Sequence, residues 1–180
     1  MGKVTIAPVS DETWDDFERL FSARGSPHYC WCAAYRFRQA HELSKAQRKA
    51  AMRELVRAGT PIGVVAYDGD EPIGWCSVAP RETYAKLERS RTMPRKTPAA
   101  TPTWTVLCFF VMRPHRQQGI TRALLRGAIA YARSQGAKVI EGYPFDTANV
   151  TSTHRAHSSV FAAARFRREG NRWSLELSGR

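Results

Sequence analysis

Val111-Met-Arg-Pro-His-Arg-Gln-Gln-Gly-Ile-Thr-Arg-Ala-Leu-Leu125 joins two stretches of opposite character. Residues 104–111 form an apolar run, the pattern of a strand buried on both faces. Residues 121–134 place apolar side chains every three to four positions, the pattern of an amphipathic helix. The turn between them carries Arg113, Arg116, a proline and Gly119. A strand that feeds a glycine-containing turn and then a helix builds an anion site. The first backbone N–H groups of the helix lack internal partners, and the helix dipole adds partial positive charge there. A pyrophosphate suits such a site, which predicts a nucleotide-like cofactor. The turn is not a Walker loop, because no Gly-Lys-Ser/Thr follows, and it is not Gly-x-Gly-x-x-Gly.

Working outward, residues 4–8 alternate and predict a first strand. Ser10-Asp-Glu-Thr13 places a cap and two acids at the start of a helix running to about residue 22. Residues 23–40 are aromatic and irregular. Ser44 caps a second helix to about residue 58, and Gly59 ends it. Residues 62–67 and 72–78 are strands joined by the hairpin turn Asp68-Gly69-Asp70. Residues 79–103 are rich in Pro, Arg, Lys and Thr, with a short helical stretch expected over 81–90. A connection this long inside a domain is functional or mobile. A strand over 138–143, a short helix over 158–164 and a last strand over 172–177 complete the chain. The order β–α–α–β–β–β–α–β–α–β predicts an α/β (α+β) fold in which helices flank a mixed sheet, as one domain spanning residues 1–180.

With 180 residues, 43% of them hydrophobic, the chain can bury a core, and five tryptophans argue against disorder. No apolar run reaches membrane-spanning length and the first residues lack a signal-peptide core. A cytoplasmic protein without a membrane partner is therefore expected. The net charge of +12 suits an anionic cofactor. Its cations are dispersed, apart from 86–96 and 165–168, and no zinc-finger or helix-turn-helix spacing occurs, so specific nucleic-acid binding is not expected. Cys76 and Cys108 lie in apolar segments and read as buried thiols. His28-x-Cys30-x-Cys32 has no second ligand pair, so no metal is expected. A homodimer is left open.

The phosphate turn resembles the acyl-CoA motif of the GNAT superfamily of N-acetyltransferases, Val-x-Pro-x-x-Arg/Gln-x-x-Gly-x-Gly/Ala followed by an apolar helix. Arg116-Gln117-Gln118-Gly119-Ile120-Thr121 fills the core of that pattern, with Arg113-Pro114 before it. Thr121 stands where the family usually has Gly or Ala, and a small side chain there still admits a pyrophosphate. The resemblance extends over most of residues 4–177, and the element order agrees with it. It implies a mixed central sheet whose fourth and fifth strands, here 104–111 and 138–143, splay apart around the pantetheine arm of acetyl-CoA, which satisfies their unpaired backbone groups. It implies that the cofactor is held by the turn: the backbone of Gln118, Gly119, Ile120, Thr121 and Arg122, with Gln117, Arg113 and Arg116 around them. A backbone N–H near Phe110 or Val111 would polarise the thioester carbonyl. The family's last signature, Tyr-x-x-x-Gly-Phe, reads here Phe161-Ala-Ala-Ala-Arg165-Phe166. The hydroxyl that commonly reprotonates the CoA thiolate is thus missing at Phe161.

Acetyl transfer to an amine needs a neutral nitrogen, a polarised carbonyl and a stabilised leaving thiolate. Many relatives carry a glutamate on the fourth strand. Here that strand reads Thr105-Val-Leu-Cys-Phe-Phe-Val111, without an acid. Glu82, where the chain leaves the third strand, is the first candidate base. Glu141 on the fifth strand is the second, followed by His154 and His157. Trp31 and Tyr84 are candidate acceptor contacts, and Glu82, Glu141 and Asp146 supply carboxylates for a cationic acceptor. Tyr29, Tyr35, Trp75 and Trp104 are further candidate walls, or core. The resemblance points to a small-molecule primary amine as acceptor. Its narrowest form is an aminoglycoside-type antibiotic, kasugamycin-like, modified as a means of resistance. The alternatives are a protein or peptide N-acetyltransferase, and a non-catalytic acyl-CoA- or nucleic-acid-binding module.

Overall fold

The apolar runs form the middle of a seven-stranded mixed sheet. The structure, a computed structural model, describes residues 4–146 and 155–177. Its strands are β1 (Val4–Pro8), β2 (Val64–Asp68), β3 (Glu71–Pro80), β4 (Thr103–Val111), β5 (Val139–Gly142), β6 (Arg167–Glu169) and β7 (Arg172–Glu176). They lie in the order β1-β2-β3-β4-β5-β7-β6, antiparallel except that β4 and β5 are parallel. Two helices, α1 (Trp14–Ser22) and α2 (Lys45–Arg57), cover one face, and α3 (Ile120–Ser134) and α4 (Ser158–Ala163) the other. Successive residues of β2 serve opposite cores: Val65 packs with Phe17, Phe21 and Met52, whereas Val64 packs with Leu124 and Ala128. Burial on both faces is why the central strands read as continuous apolar runs.

Local chemistry sets the helix starts. The Ser44 hydroxyl accepts the Gln47 N–H at 3.2 Å and the Gln47 side chain accepts the Ser44 N–H at 2.8 Å, a reciprocal cap for α2. Helix α1 begins later than the Ser10 cap predicts. The Thr13 hydroxyl accepts the Ser10 N–H at 2.9 Å and donates to the Pro8 carbonyl at 3.0 Å, which closes a turn ahead of the helix. Strand β3 runs on to Pro80, and two short 3₁₀ turns, Arg81–Thr83 and Leu87–Arg89, stand where one helical stretch was expected. The chain ends in a hairpin rather than a lone strand. Its charged, exposed edge strand Arg167–Glu169 carries no alternating apolar signal to read. Among the described residues no helix is long and apolar enough to cross a membrane.

The functional geometry begins where β4 and β5 part. They pair only from Thr103↔Val139 to Val106↔Gly142, while β4 continues to Val111. On its other side, β4 slips register against β3: Cys108 faces Ser77 and Val106 faces Val78, leaving Leu107 as an extra residue. A bulge therefore sits at the vertex of the split and sharpens the divergence.

Candidate active site

At the wide end of the split, β4 passes through the 3₁₀ turn Arg113–His115 into α3. Gly119 caps that helix with φ +79°, and Gln117 also takes a left-handed conformation, φ +61°. Among the described residues no side chain caps the helix start. Its free N–H groups border a hollow of about 340 Å³, lined by Arg116, Gln117, Gly119, Ile120, Thr121 and Arg122 among others. A Cβ at Gly119 would project into open space, with no atom within 4 Å. Backbone donors, two guanidinium groups and the absence of an acid in the first helical turn make this hollow fit a pyrophosphate. The Gln118 side chain instead donates to the Pro114 carbonyl at 2.9 Å. Arg113 borders a neighbouring hollow with Arg24 and Met112, and Arg116 touches both.

Through Val111, Arg116, Thr121 and Val160 the phosphate hollow continues into a groove of about 300 Å³ along the open edge of β4. The groove in turn meets a cavity of about 370 Å³ at Phe109, Phe110 and Arg155. The Met112 N–H donates to the Ile73 carbonyl of β3 at 2.9 Å. Alternation along the strand then turns the Phe110 N–H toward β3 and the N–H groups of Phe109 and Val111 toward the groove. Of the two residues expected to offer an N–H, Val111 faces the right side and Phe110 does not. The Val111 carbonyl on that edge accepts Arg116 Nε at 3.0 Å. An open strand edge fits an amide-bearing arm such as pantetheine.

Segments distant in sequence wall the cavity. Leu107 and Cys108 come from β4, and Tyr143 follows β5. Cys30, Cys32 and Tyr35 come from the irregular segment after α1, and Thr92 and Met93 from the long 79–103 connection. That connection is pinned in place: fully buried Arg81 donates to the carbonyls of Met93 at 2.6 Å and Leu87 at 3.4 Å, and Asn171 donates to the Thr92 carbonyl. Trp75 donates its indole N–H to Cys32 Sγ at 3.0 Å. Contact with Cys108, and then burial, holds the Cys32 thiol well above its ordinary pKa. Contact with Cys32, and then burial, does the same for Cys30. These thiols form an uncharged wall. Among the described residues no group of His, Cys, Asp or Glu is arranged to hold a metal, and neither a carboxylate nor a histidine lines the cavity.

The expected catalytic and acceptor residues lie elsewhere. Glu141 is fully buried in an ion-pair cluster between Arg81 and Arg172, with Arg172 Nε at 2.6 Å. It also accepts from the hydroxyls of Thr105 and Tyr143, each at 3.2 Å, so it stands behind the cavity wall and not at its surface. Glu82 is exposed and is not part of the lining. Tyr84 is buried, its hydroxyl 3.0 Å from Ser77 and its ring under Arg36. Trp31 belongs to the core, its ring centroid 5.4 Å from that of Phe21. Asp146 is exposed and pairs with Arg168 at 2.7 Å. His157 caps α4, accepting the Ser159 N–H at Nδ1, while His154 lies outside the described residues. Phe161 is buried on Gly142, where a Cβ would come 2.4 Å from its ring. Tyr35 and Trp75, read as candidate walls, do line the cavity, whereas Tyr29 and Trp104 do not. Arg155, Met93 and Asn171 went unread because each sits in a non-periodic segment and meets the cavity only through the fold.

The profile of the acetyltransferase (GNAT) family matches residues 8–157. No curated protein matches the sequence at a significant level. Among solved structures the chain is similar to a ribosomal-protein-alanine N-acetyltransferase from Brucella melitensis, with TM-score 0.58 and 16% identity over 96% of this chain and 99% of that one. It is similar to a GNAT family acetyltransferase from the same organism in complex with acetyl-CoA, with TM-score 0.52 and 12% identity over 99% and 91%. An aminoglycoside antibiotic 6'-N-acetyltransferase from Acinetobacter haemolyticus gives TM-score 0.53 and 16% identity over 98% of both chains. At these identities the likeness is one of fold.

Proposed function

Because this chain belongs to the acetyltransferase (GNAT) family and is an acetyl-CoA-dependent acetyltransferase, we propose that it acetylates a primary amine of a small molecule in the cytoplasm. The observation that carries this reading is the cavity at the inner end of the groove. Its volume of about 370 Å³ suits a ligand the size of a sugar or an amino acid. Bound acetyl-CoA supplies an acetyl group activated as a thioester. In this reading the N–H groups of Gly119, Ile120, Thr121 and Arg122, with the cations of Arg116 and Arg122, hold its pyrophosphate. Val111 N–H polarises the carbonyl from the open strand edge.

The wall chemistry narrows the acceptor. Thiols, tyrosines and apolar side chains dominate, and Arg155 is the one charged side chain among the described lining residues. A neutral or anionic amine suits that surface. A polycationic aminoglycoside, kasugamycin-like or otherwise, is the poorer fit, since Glu141 is locked between arginines and Asp146 is paired outside. The test is turnover of acetyl-CoA, followed as free thiol, with neutral, anionic and aminoglycoside amines and with peptides. Turnover with small neutral or anionic amines is expected. Turnover confined to peptides overturns the small-molecule reading, and turnover confined to aminoglycosides overturns its narrowing to neutral or anionic acceptors.

A further inference from the structure

Amide formation in this cavity requires one proton to move. As the acceptor nitrogen bonds to the acyl carbon it must lose a proton, and as the carbon–sulfur bond breaks the sulfur leaves with the electron pair and gains one. The described lining offers no carboxylate or histidine for this work. Its hydroxyl-bearing residues are Tyr35, Thr92 and Tyr143. Thr92 meets the Ser90 hydroxyl at 3.3 Å. The Tyr143 hydroxyl is committed behind the wall, accepting from Arg81 at 3.1 Å and donating to Glu141 at 3.2 Å. The Tyr35 hydroxyl has no hydrogen-bond partner among the described residues.

Tyr35 is otherwise well placed. Its main chain is fixed, the carbonyl accepting the Lys86 N–H at 3.1 Å, and its side chain is half-buried. The ionisable groups whose fields act on it are Cys108, Arg155 and Cys30. Cys108 follows the bulge at which β4 and β5 part, and Arg155 stands where the groove enters the cavity. Tyr35 therefore lines the cavity into which the groove along β4 opens.

We propose that Tyr35 is a catalytic residue that carries the proton from the acceptor nitrogen to the departing sulfur. The hydroxyl gives its proton to sulfur as the carbon–sulfur bond breaks and the carbon–nitrogen bond forms. The phenolate oxygen then takes the proton that the nitrogen sheds, so the hydroxyl is restored and one amide and one thiol result. Arg155 offsets the negative charge on the oxygen between the two transfers. Burial raises the Tyr35 hydroxyl above its ordinary pKa, which keeps the resting group a donor. The step rests on the amine-acceptor reading above and accounts for a reaction cavity whose described wall holds no carboxylate.

Tyr35→Phe removes one oxygen that makes no hydrogen bond to the described residues, so an unchanged melting temperature is expected. With acetyl-CoA, kcat should fall roughly a hundredfold, the scale of a positioned proton carrier. The loss should shrink with an aryl thioester, whose acidic thiol departs without a proton. By calorimetry the variant should bind CoA about fivefold more weakly, the scale of one hydrogen bond, and bind desulfo-CoA like the wild type. That second readout needs no acceptor, so it stands even where the amine panel gives no turnover. Unchanged kcat, equal losses with both thioesters, or equal losses of CoA and desulfo-CoA affinity would each overturn the proposal. So would a leaving-group-dependent loss in Tyr143→Phe with Tyr35→Phe unaffected.

Discussion

Gly119 opens α3 at φ +79° with nothing in the space its side chain would enter. A valine there meets two separate penalties. The left-handed backbone costs about 1–2 kcal/mol for a residue with a Cβ, which the fold should survive. The side chain also fills the hollow beside the free helix N–H groups, where a phosphate needs close approach. Gly119→Val should therefore remain folded by circular dichroism and lose CoA affinity on the order of a hundredfold in calorimetry. Unaltered affinity would place the pyrophosphate elsewhere. This site was legible in the sequence because helix-start chemistry is local: Arg116 to Thr121 are contiguous, and their N–H groups need no distant partner to be free. Glu141 was not legible. Its carboxylate reads as a base on a strand until Arg81, sixty residues away, and Arg172 close around it. Trp31 and Tyr84 show the same limit, since an aromatic in an irregular segment carries no sign of whether it will face core or cavity.

Elements separate along the same line. Helix α2 was readable from Ser44 and its reciprocal bond with Gln47, and Ser44→Ala should cost about 1 kcal/mol in denaturant unfolding. The central strands were readable from their apolar runs. The edge strand β6 was not, being exposed and charged throughout. The 79–103 connection is the clearest case of structure without periodicity. It is anchored by Arg81, whose own place depends on Glu141 across the sheet. Glu141→Gln would leave Arg81 buried without its counter-charge and Arg172 with Glu169 alone, a change expected to destabilise by about 3–5 kcal/mol. Urea unfolding measures that loss. Because Met93 hangs from Arg81, the same variant should raise the acceptor KM more than the acetyl-CoA KM, and equal changes in both would detach the connection from the acceptor wall.

Across the whole molecule, buried phenols set an alkaline limit. Burial, and then Asp16, pushes Tyr67 up to about 12, and burial, and then Glu141, does the same for Tyr143; burial also raises Tyr84. In the unfolded chain these groups ionise near 10. Between the two values the folded state binds more protons, so stability is whole below pH 10 and declines as pH rises through about 12. The urea midpoint followed across that range should fall with tyrosinate absorbance, and a flat midpoint would mean that these phenols are solvated. Below that limit the parting of β4 and β5 governs how the chain holds together. Among the described residues, four backbone ladder pairs join β1 through β4 to the leaf formed by β5, β7 and β6, with the Arg81–Glu141 ion pair and the Asn171–Thr92 bond as side-chain ties beside them. Two leaves on so short a backbone seam are expected to open as separate units, with the smaller one exchanging its amides at lower free energy. An arm hydrogen-bonded along the inner edge of β4 becomes an eighth strand supplied from solution, and it fuses the leaves into one cooperative unit. Hydrogen exchange read by mass spectrometry should then show β5 and β7 less protected than β2 and β3 in the free protein, and level with them in acetyl-CoA: the cosubstrate completes the architecture on each turnover, and each product release takes that completion away.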